Sequence, residues 1–322
     1  MKTTLALRAL VVGLFTFASL SAHAQGYPQR PVRMIVPFAA GGLTDGLGRV
    51  VAVYLGERLG QPVVVENRGG GGGTVGTEAA ARSTPDGYTM LLGSLEGYGM
   101  TNTDAKRLNY NPEKDLAPIA LIARAPNVII VHPSVKANTV KELIELARAN
   151  PGKIRYASPG IGSNPHIIGE KLKQTFKIDI VHVPYKGGGA GINDLISGQI
   201  EMMFAGAVTS AGHIKSGKAR GLGITGTIRV PMIPDVPTME EAGVKDFALG
   251  PILGTWAPVG TPAEAIARLT REVVALKKHP EFRKRIADLG YELSEDLTGA
   301  EFGRYMVGEA KRWREMAAGA GL

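Results

Sequence analysis

The sequence predicts an α/β protein whose parallel-rich sheets are divided between two domains. Three observations carry that reading. Short apolar runs alternate with helical periodicity from Met34 to Thr225, the pattern of successive βα units. Residues 32 to 49 read as a buried strand running through a glycine turn into a helix. Proline- and glycine-rich stretches near Pro126-Asn127 and at Arg229 to Pro237 bracket a second βα series, as chain crossings between domains do.

The first residues read as an export signal, with Lys2 and Arg8 as a basic start, Ala9 to Leu20 as an apolar stretch too short to span a bilayer, and Ala22-His23-Ala24 as a cleavage site. Removing residues 1–24 from the 322 leaves 298, enough for two domains. Met34 to Pro37, Pro62 to Glu66, Tyr88 to Gly93 and Val128 to His132 read as strands. In the first helix Leu47, Val50, Val51, Tyr54, Leu55 and Leu59 share one face, and Gly60 with Pro62 stops it. Capping boxes at Thr139/Glu142, Thr261/Glu264 and Thr298/Glu301 predict helices over 140–149, 262–278 and 299–317, with Pro262 at a first helical position. The second series runs Ile154 to Ser158, helix 165–176, Ile180 to Pro184, helix 190–197, Ile200 to Phe204, helix 207–216 and Ala219 to Thr225. The domains expected are 26–127 plus 235–322, and 128–234, with a ligand cleft between them.

Composition excludes several classes. There is no cysteine, so neither disulfides nor a lipidated cysteine holds this chain. The net charge of +8, or +6 without Lys2 and Arg8, is spread over helices such as 277–285, where Glu281 and then Asp288 interleave it. That is a solvated face with a mild pull on anions, and no nucleic-acid partner is expected.

Motifs for chemistry are weak. Gly71 to Gly76 matches G-x-G-x-x-G with Glu96 twenty residues on, but it sits in the second βα unit, separated from its strand by Asn-Arg-Gly. Gly212 to Lys218 resembles a P-loop, yet Ala219 replaces the magnesium-binding hydroxyl and the order is helix to strand. Ser94 lacks the preceding glycine of a nucleophile elbow, and His132, His166, His182, His213 and His279 have no metal-ligand spacing. No cofactor, metal or catalytic residue is expected. A secreted hydrolase with an unrecognised catalytic set, and a solute sensor for a signalling membrane protein, stay as alternatives.

What is left is a set of loops at the carboxyl ends of strands, 38–45, 94–97, 158–166, 185–191 and 205–208, the edge where open α/β sheets bind ligands. In the first, Gly41 and Gly42 permit close backbone approach, Thr44 and Asp45 are N-cap types, and the helix start is a positive pole. Ser158-Pro-Gly-Ile-Gly-Ser-Asn-Pro-His166 repeats the arrangement. Ser94, Glu96, Asn164, Tyr185 and Ala205 are further candidates in these loops. Glu96 either lines the cleft, where its charge opposes a second carboxylate, or points to solvent at the rim.

Taken together, Pro37-Phe38-Ala39-x-Gly41-Gly42-x-Thr44-Asp45, Val63 to Arg68, Pro85 to Thr89, His182-Val183-Pro184-Tyr185-Lys186-Gly187, Pro234 to Thr238 and Ala257-Pro258-x-Gly260-Thr261-Pro262 resemble the Bug receptors. These are the periplasmic solute-binding components of tripartite tricarboxylate transporters. The resemblance covers essentially the whole mature chain. It implies a two-lobed type II periplasmic binding protein fold with a hinge, a periplasmic location, and no catalysis; the doubled glycine turns with proline-rich crossovers between them lead us to expect a monomer. Its partners would be a small organic acid and integral-membrane permease subunits. By position it implies Phe38, Ala39, Gly42, Thr44 and Asp45 facing Ser158, Gly160, Ser163 and His166 across one carboxylate held without an arginine. Two departures stand out: Ile252 where a tryptophan is usual, and Glu96 where small or polar residues are commoner.

Overall fold

The structure, a computed structural model, describes residues 26–100, 102–185 and 188–322. The expected export signal lies outside them, as do Lys186 and Gly187. β1 (Val32–Val36) is buried along almost its whole length and leads into α1 (Leu43–Leu59). Leu47, Val51, Leu55 and Leu59 form the buried face of α1, and Gly60 ends it in the left-handed region at φ +70°. β2 (Val63–Asn67), α2 (Thr74–Ala81) and β3 (Thr89–Ser94) follow. Two short helices, α3 (Asn102–Arg107) and α4 (Pro112–Asp115), lead to β4 (Leu116–Arg124).

The second set is β5 (Asn127–Val131), α5 (Val140–Ala149), β6 (Ile154–Ser158), α6 (Asn164–Phe176), β7 (Ile180–Pro184), α7 (Gly188–Ile196), β8 (Met202–Gly206), α8 (Ala207–Lys215) and β9 (Arg220–Ile224). The chain returns through β10 (Ile252–Pro258), α9 (Ala263–Leu276), α10 (Pro280–Asp288), β11 (Glu292–Leu293) and α11 (Gly299–Gly319).

The first sheet has the order β11-β4-β10-β3-β1-β2 and the second β7-β6-β8-β5-β9. Both are mixed. β1 is parallel to β2 and β3, and β6 to β7 and β8, as βα units require. The remaining pairings are antiparallel: β10 with β3 and β4, β11 with β4, and β5 with β8 and β9; β4 and β5 carry the chain out of the first sheet, and β9 and β10 carry it back. That makes two lobes.

The crossings lie side by side. Ala125 N–H donates to Pro251 O at 2.9 Å, between β4 and β5 going out and before β10 coming back. A Cβ on Gly250 would meet Ala125 O at 2.5 Å, so the two backbones are closer than any side chain allows. The proline-rich stretch before the return packs on the second sheet: Val230, Ile233 and Val236 join the cluster of Val128, Ile130 and Ala205, and Thr238 bridges Ile224. α11 also spans the lobes. Its Trp313, Ala310 and Ala317 share a core with Leu95 and Tyr98 on one side and Ile167, Ile168 and Leu172 on the other.

Two expected capping boxes do not form. Thr139 Oγ1 accepts from Glu142 N–H at 3.1 Å as expected. Thr261 instead donates its hydroxyl to Pro258 O, which makes Pro262 the cap residue, and Thr298 caps α11 without a side-chain bond while bridging Ala120. A local turn bond three residues back occupies the Thr261 hydroxyl, whereas pairing with the distant Ala120 holds Thr298.

Gly250→Ala should destabilise the protein by about 1–3 kcal/mol, since the added methyl must displace the Ala125 carbonyl at the paired crossing. Urea unfolding checks it; an unchanged midpoint would mean the crossings part without cost.

Candidate functional site

The carboxyl ends of β1 and β3 in the first lobe, and of β6 and β8 in the second, all lead into loops and helix starts. The β1 loop turns through Gly41 at φ +80°. The α1 cap is Gly42, not Thr44 or Asp45, and it has no side-chain cap bond. Thr44 and Asp45 sit buried in the first turn. Asp45 holds the loop from inside, its Oδ2 accepting from Gly41 N–H (2.8 Å) and Arg49 Nε (2.9 Å) and its Oδ1 from Asn67 Nδ2 (2.9 Å). Burial opposes its charge, but these bonds win and hold the carboxyl below its ordinary pKa. Phe38 lends its carbonyl to Asn67 Nδ2 and its ring to the face of Gly73, while Ala39 and Gly42 are exposed on the loop. The first amides of α1 therefore carry no protein cap.

The β6 loop is organised in the same way. Ser163 is the α6 cap residue, but its hydroxyl donates to Gly160 O at 2.7 Å and makes no cap bond. Ser158, fully buried, accepts from Gly160 N–H at 3.1 Å and lies 2.6 Å from His182 Nε2. Both serines thus stitch the loop internally. His166 Nδ1 accepts from Gly162 N–H at 3.0 Å, which puts its proton on Nε2 when neutral, and its ring stacks on His182 at 3.6 Å. Asn164, 4% exposed, receives Asn127 Nδ2 on its Oδ1 at 2.8 Å. Its own Nδ2 is buried with no partner among the described residues.

The rest of the candidates divide. Ser94, 5% exposed at the end of β3, and Glu96 on the turn Leu95–Tyr98 have buried oxygens, Oγ and Oε2, without partners among the described residues. Tyr185 turns into its own lobe, donating to Asp194 Oδ2 at 2.7 Å. Ala205 is buried beside Gly206, the α8 cap residue. The two lobes approach there: a Cβ on Gly206 would lie 3.5 Å from Leu43 Cδ1, and one on Gly290 3.2 Å from Ala207 Cβ. Ile252, buried at the start of β10, shares a core cluster with Trp256 of the same strand. Trp256 Nε1 donates to Tyr98 OH at 3.1 Å.

Asn127 is the residue that sequence reasoning passed over as a candidate. It follows Pro126 at the head of an apolar strand, and a polar side chain leading a buried run was the available signal. Among the described residues no group of three or more His, Asp or Glu is placed to hold a metal, and no helix is long and apolar enough to cross a membrane. The Ser158–His182 contact has the distance of a nucleophile and its base. It is unsuited to that task, because Ser158 is sealed from solvent and burial, with His166 alongside, pushes His182 down to about 4. The chemistry on offer is amide and hydroxyl donors at helix starts, with one unpaired carboxyl.

A family model described as the tripartite tricarboxylate transporter family receptor matches residues 47–322. Protein BugT of Bordetella pertussis is 37% identical over 82% of this chain and 82% of its own. Among solved structures, the periplasmic binding protein BugD superposes with a TM-score of 0.76 at 36% identity, covering 92% of this chain and 99% of that one. MatC from Rhodopseudomonas palustris, solved with bound malate, gives 0.75 at 30% identity over 90% and 100%. Those structures share the two-lobed α/β architecture described above.

The histidine stack makes an acid-sensitive contribution. His182 titrates near 4 when folded and near 6.5 unfolded, so its share of stability is complete above about pH 6.5 and is lost as pH falls toward 4. Between pH 7.5 and pH 4.5 the unfolding free energy should drop by up to about 3 kcal/mol from this residue. His182→Gln, which keeps a group for Ser158, should flatten the profile; an equally steep profile in that variant would remove His182 as the cause.

Proposed function

Because the chain belongs to the tripartite tricarboxylate transporter receptor family, we propose that it captures a small organic acid in the periplasm and hands it to the permease subunits of such a transporter. The carboxylate sits between the uncapped starts of α1 and α6. Asn164 is the observation that carries this reading. Its Nδ2 is a buried donor left open at the start of α6, aligned by Asn127 through its other end, and a buried donor without an acceptor costs about 1–3 kcal/mol unless a ligand supplies one. The Thr44 and His166 amides add the partial positive charge of the two helix ends, while Gly41 and Gly42 donate within the loop to Asp45 and Ala39 and hold its turn. Asp45, Ser158 and Ser163 shape these loops. A solute carboxylate is also what the malate-bound relative carries.

The lobes we assign to residues 26–125 with 251–322, and to 126–250, divide at the paired crossing, and the chain acts as a monomer that closes about it. Small-angle scattering with a saturating acid should show compaction with no change of mass. A screen of small acids by thermal shift identifies such a ligand, since one present at 100 times its Kd adds about 2.7 kcal/mol. Asn164→Ala should weaken the acids found by about tenfold or more while folding normally. Undiminished affinity in that variant would take the carboxylate away from α6, and a radius unchanged by ligand would remove closure.

A further inference from the structure

Glu96 has no part in the carboxylate site as drawn above, yet the protein fixes its position with care. The turn Leu95–Tyr98 is braced from several sides: Trp256 Nε1 donates to Tyr98 OH at 3.1 Å, Tyr110 OH to Gly97 O at 2.6 Å, and Arg314 Nη1 to Tyr98 O and Gly99 O at 3.1 Å each. Gly97 packs so closely on Thr77 that a Cβ would stand 2.9 Å from its Oγ1. Against this rigid backing the Glu96 carboxyl makes no ion pair among the described residues, and its buried Oε2 has no partner. Arg314, the cation that braces the turn, binds those carbonyls and not the carboxyl. Ser94 Oγ, two residues earlier, is buried without a hydrogen bond of normal geometry and lies beside the carboxyl, whose charged form it favours while burial disfavours it.

Buried polar groups are paired as a rule, and burial disfavours the charged form of Glu96 and raises its pKa, against the smaller opposing effect of Ser94. The two helix starts supply roughly half a positive charge each, which balances one solute carboxylate and not two. A cationic group beside Glu96 favours the charged carboxylate that burial disfavours, and so is the partner that this site rewards. Ser94 Oγ supplies a second acceptor beside it.

Resting on the reading of the site as a carboxylate receptor, we propose that Ser94 and Glu96 form a subsite for a protonated amine, so that the solute is a small amino acid. Its carboxylate lies at the starts of α1 and α6 and its ammonium donates to Glu96 Oε2 and Ser94 Oγ.

Matched probes test this. The mature chain, refolded to strip any carried ligand, is titrated with alanine, glutamine, 4-aminobutyrate and 5-aminovalerate, and with propionate, malate, glutarate and adipate. The expected result is binding of at least one amino acid and weak or no binding of the diacids. Glu96→Gln, which is isosteric and removes an unpaired charge, should keep or raise the ligand-free Tm. It should weaken the amino acid by about tenfold or more and strengthen the diacid of matching length. Ser94→Ala should weaken the amino acid severalfold and leave propionate unchanged. If diacids bind the wild type as tightly as amino acids and both variants leave every affinity unchanged, the amine subsite is overturned while the carboxylate receptor stands. Binding of none of the eight probes overturns both.

Discussion

The antiparallel contact of Ala125 with Pro251, closed to 2.9 Å because Gly250 offers no Cβ, is the constraint from which the site's geometry follows. The chain passes from the first sheet to the second and back through this one pair of segments. Asn127 lies two residues beyond the outgoing crossing and orients Asn164 at the head of α6. Ile252 lies one residue beyond the returning one and opens β10, whose Leu253 pairs with Ser94 and whose Trp256 braces the Glu96 turn. The open donor on one lobe and the open acceptors on the other are thus both indexed to the same few backbone atoms. Moving the crossing by one residue would flip every side chain on β5 and β10 to the opposite face.

Much of this was legible in the sequence. Helical periodicity placed α1, α5, α6 and α8 to within about two residues, because each carries one apolar face and a glycine, proline or cap at its end. The strand-to-helix turns at 38–45 and 158–166 were legible for the same reason, since glycines beside N-cap residues leave few other conformations. β4 and β10 were not. Ile252–Pro258 is buried on both faces and so shows no alternation, and Leu116–Arg124 carries Pro118 near its start, which reads as a break. Both derive their conformation from neighbours distant in sequence, and a local pattern does not carry that.

The site was legible as a set of loops and less so as roles. Residue type suggested Ser158 and Ser163 as donors to an anion or as helix caps, and the structure turns both hydroxyls onto the backbone of their own loop. Asp45 likewise looked like a cap and instead ties three groups together behind the turn. In each case a short polar side chain found a partner nearby before any ligand was present, which such side chains do readily. Among the candidates in these loops, those left with an open buried polar atom are Ser94, Glu96 and Asn164. An amide, a hydroxyl or a carboxyl is common in any sequence. Only the completed set of hydrogen bonds separates the spent groups from the available ones.

The same distinction bears on how a two-lobed receptor avoids closing on nothing. On the proposed reading, water satisfies Ser94, Glu96 and Asn164 when the lobes are apart. Bringing them together without a solute strips that water and strands an amide donor and a carboxyl, a penalty of the order of 1–3 kcal/mol for each polar group and more for a charge. A solute that pairs both ends removes the penalty, whereas one that pairs a single end leaves half of it in place. On the proposed reading, closure therefore responds to the whole solute and not to its carboxylate alone, because a ligand shifts such an equilibrium only by its difference in affinity for the two states. The long-range pull of a basic chain on anions, screened within about 8–10 Å, does not distinguish one acid from another. The unpaired groups, on the proposed reading, decide which acid is kept.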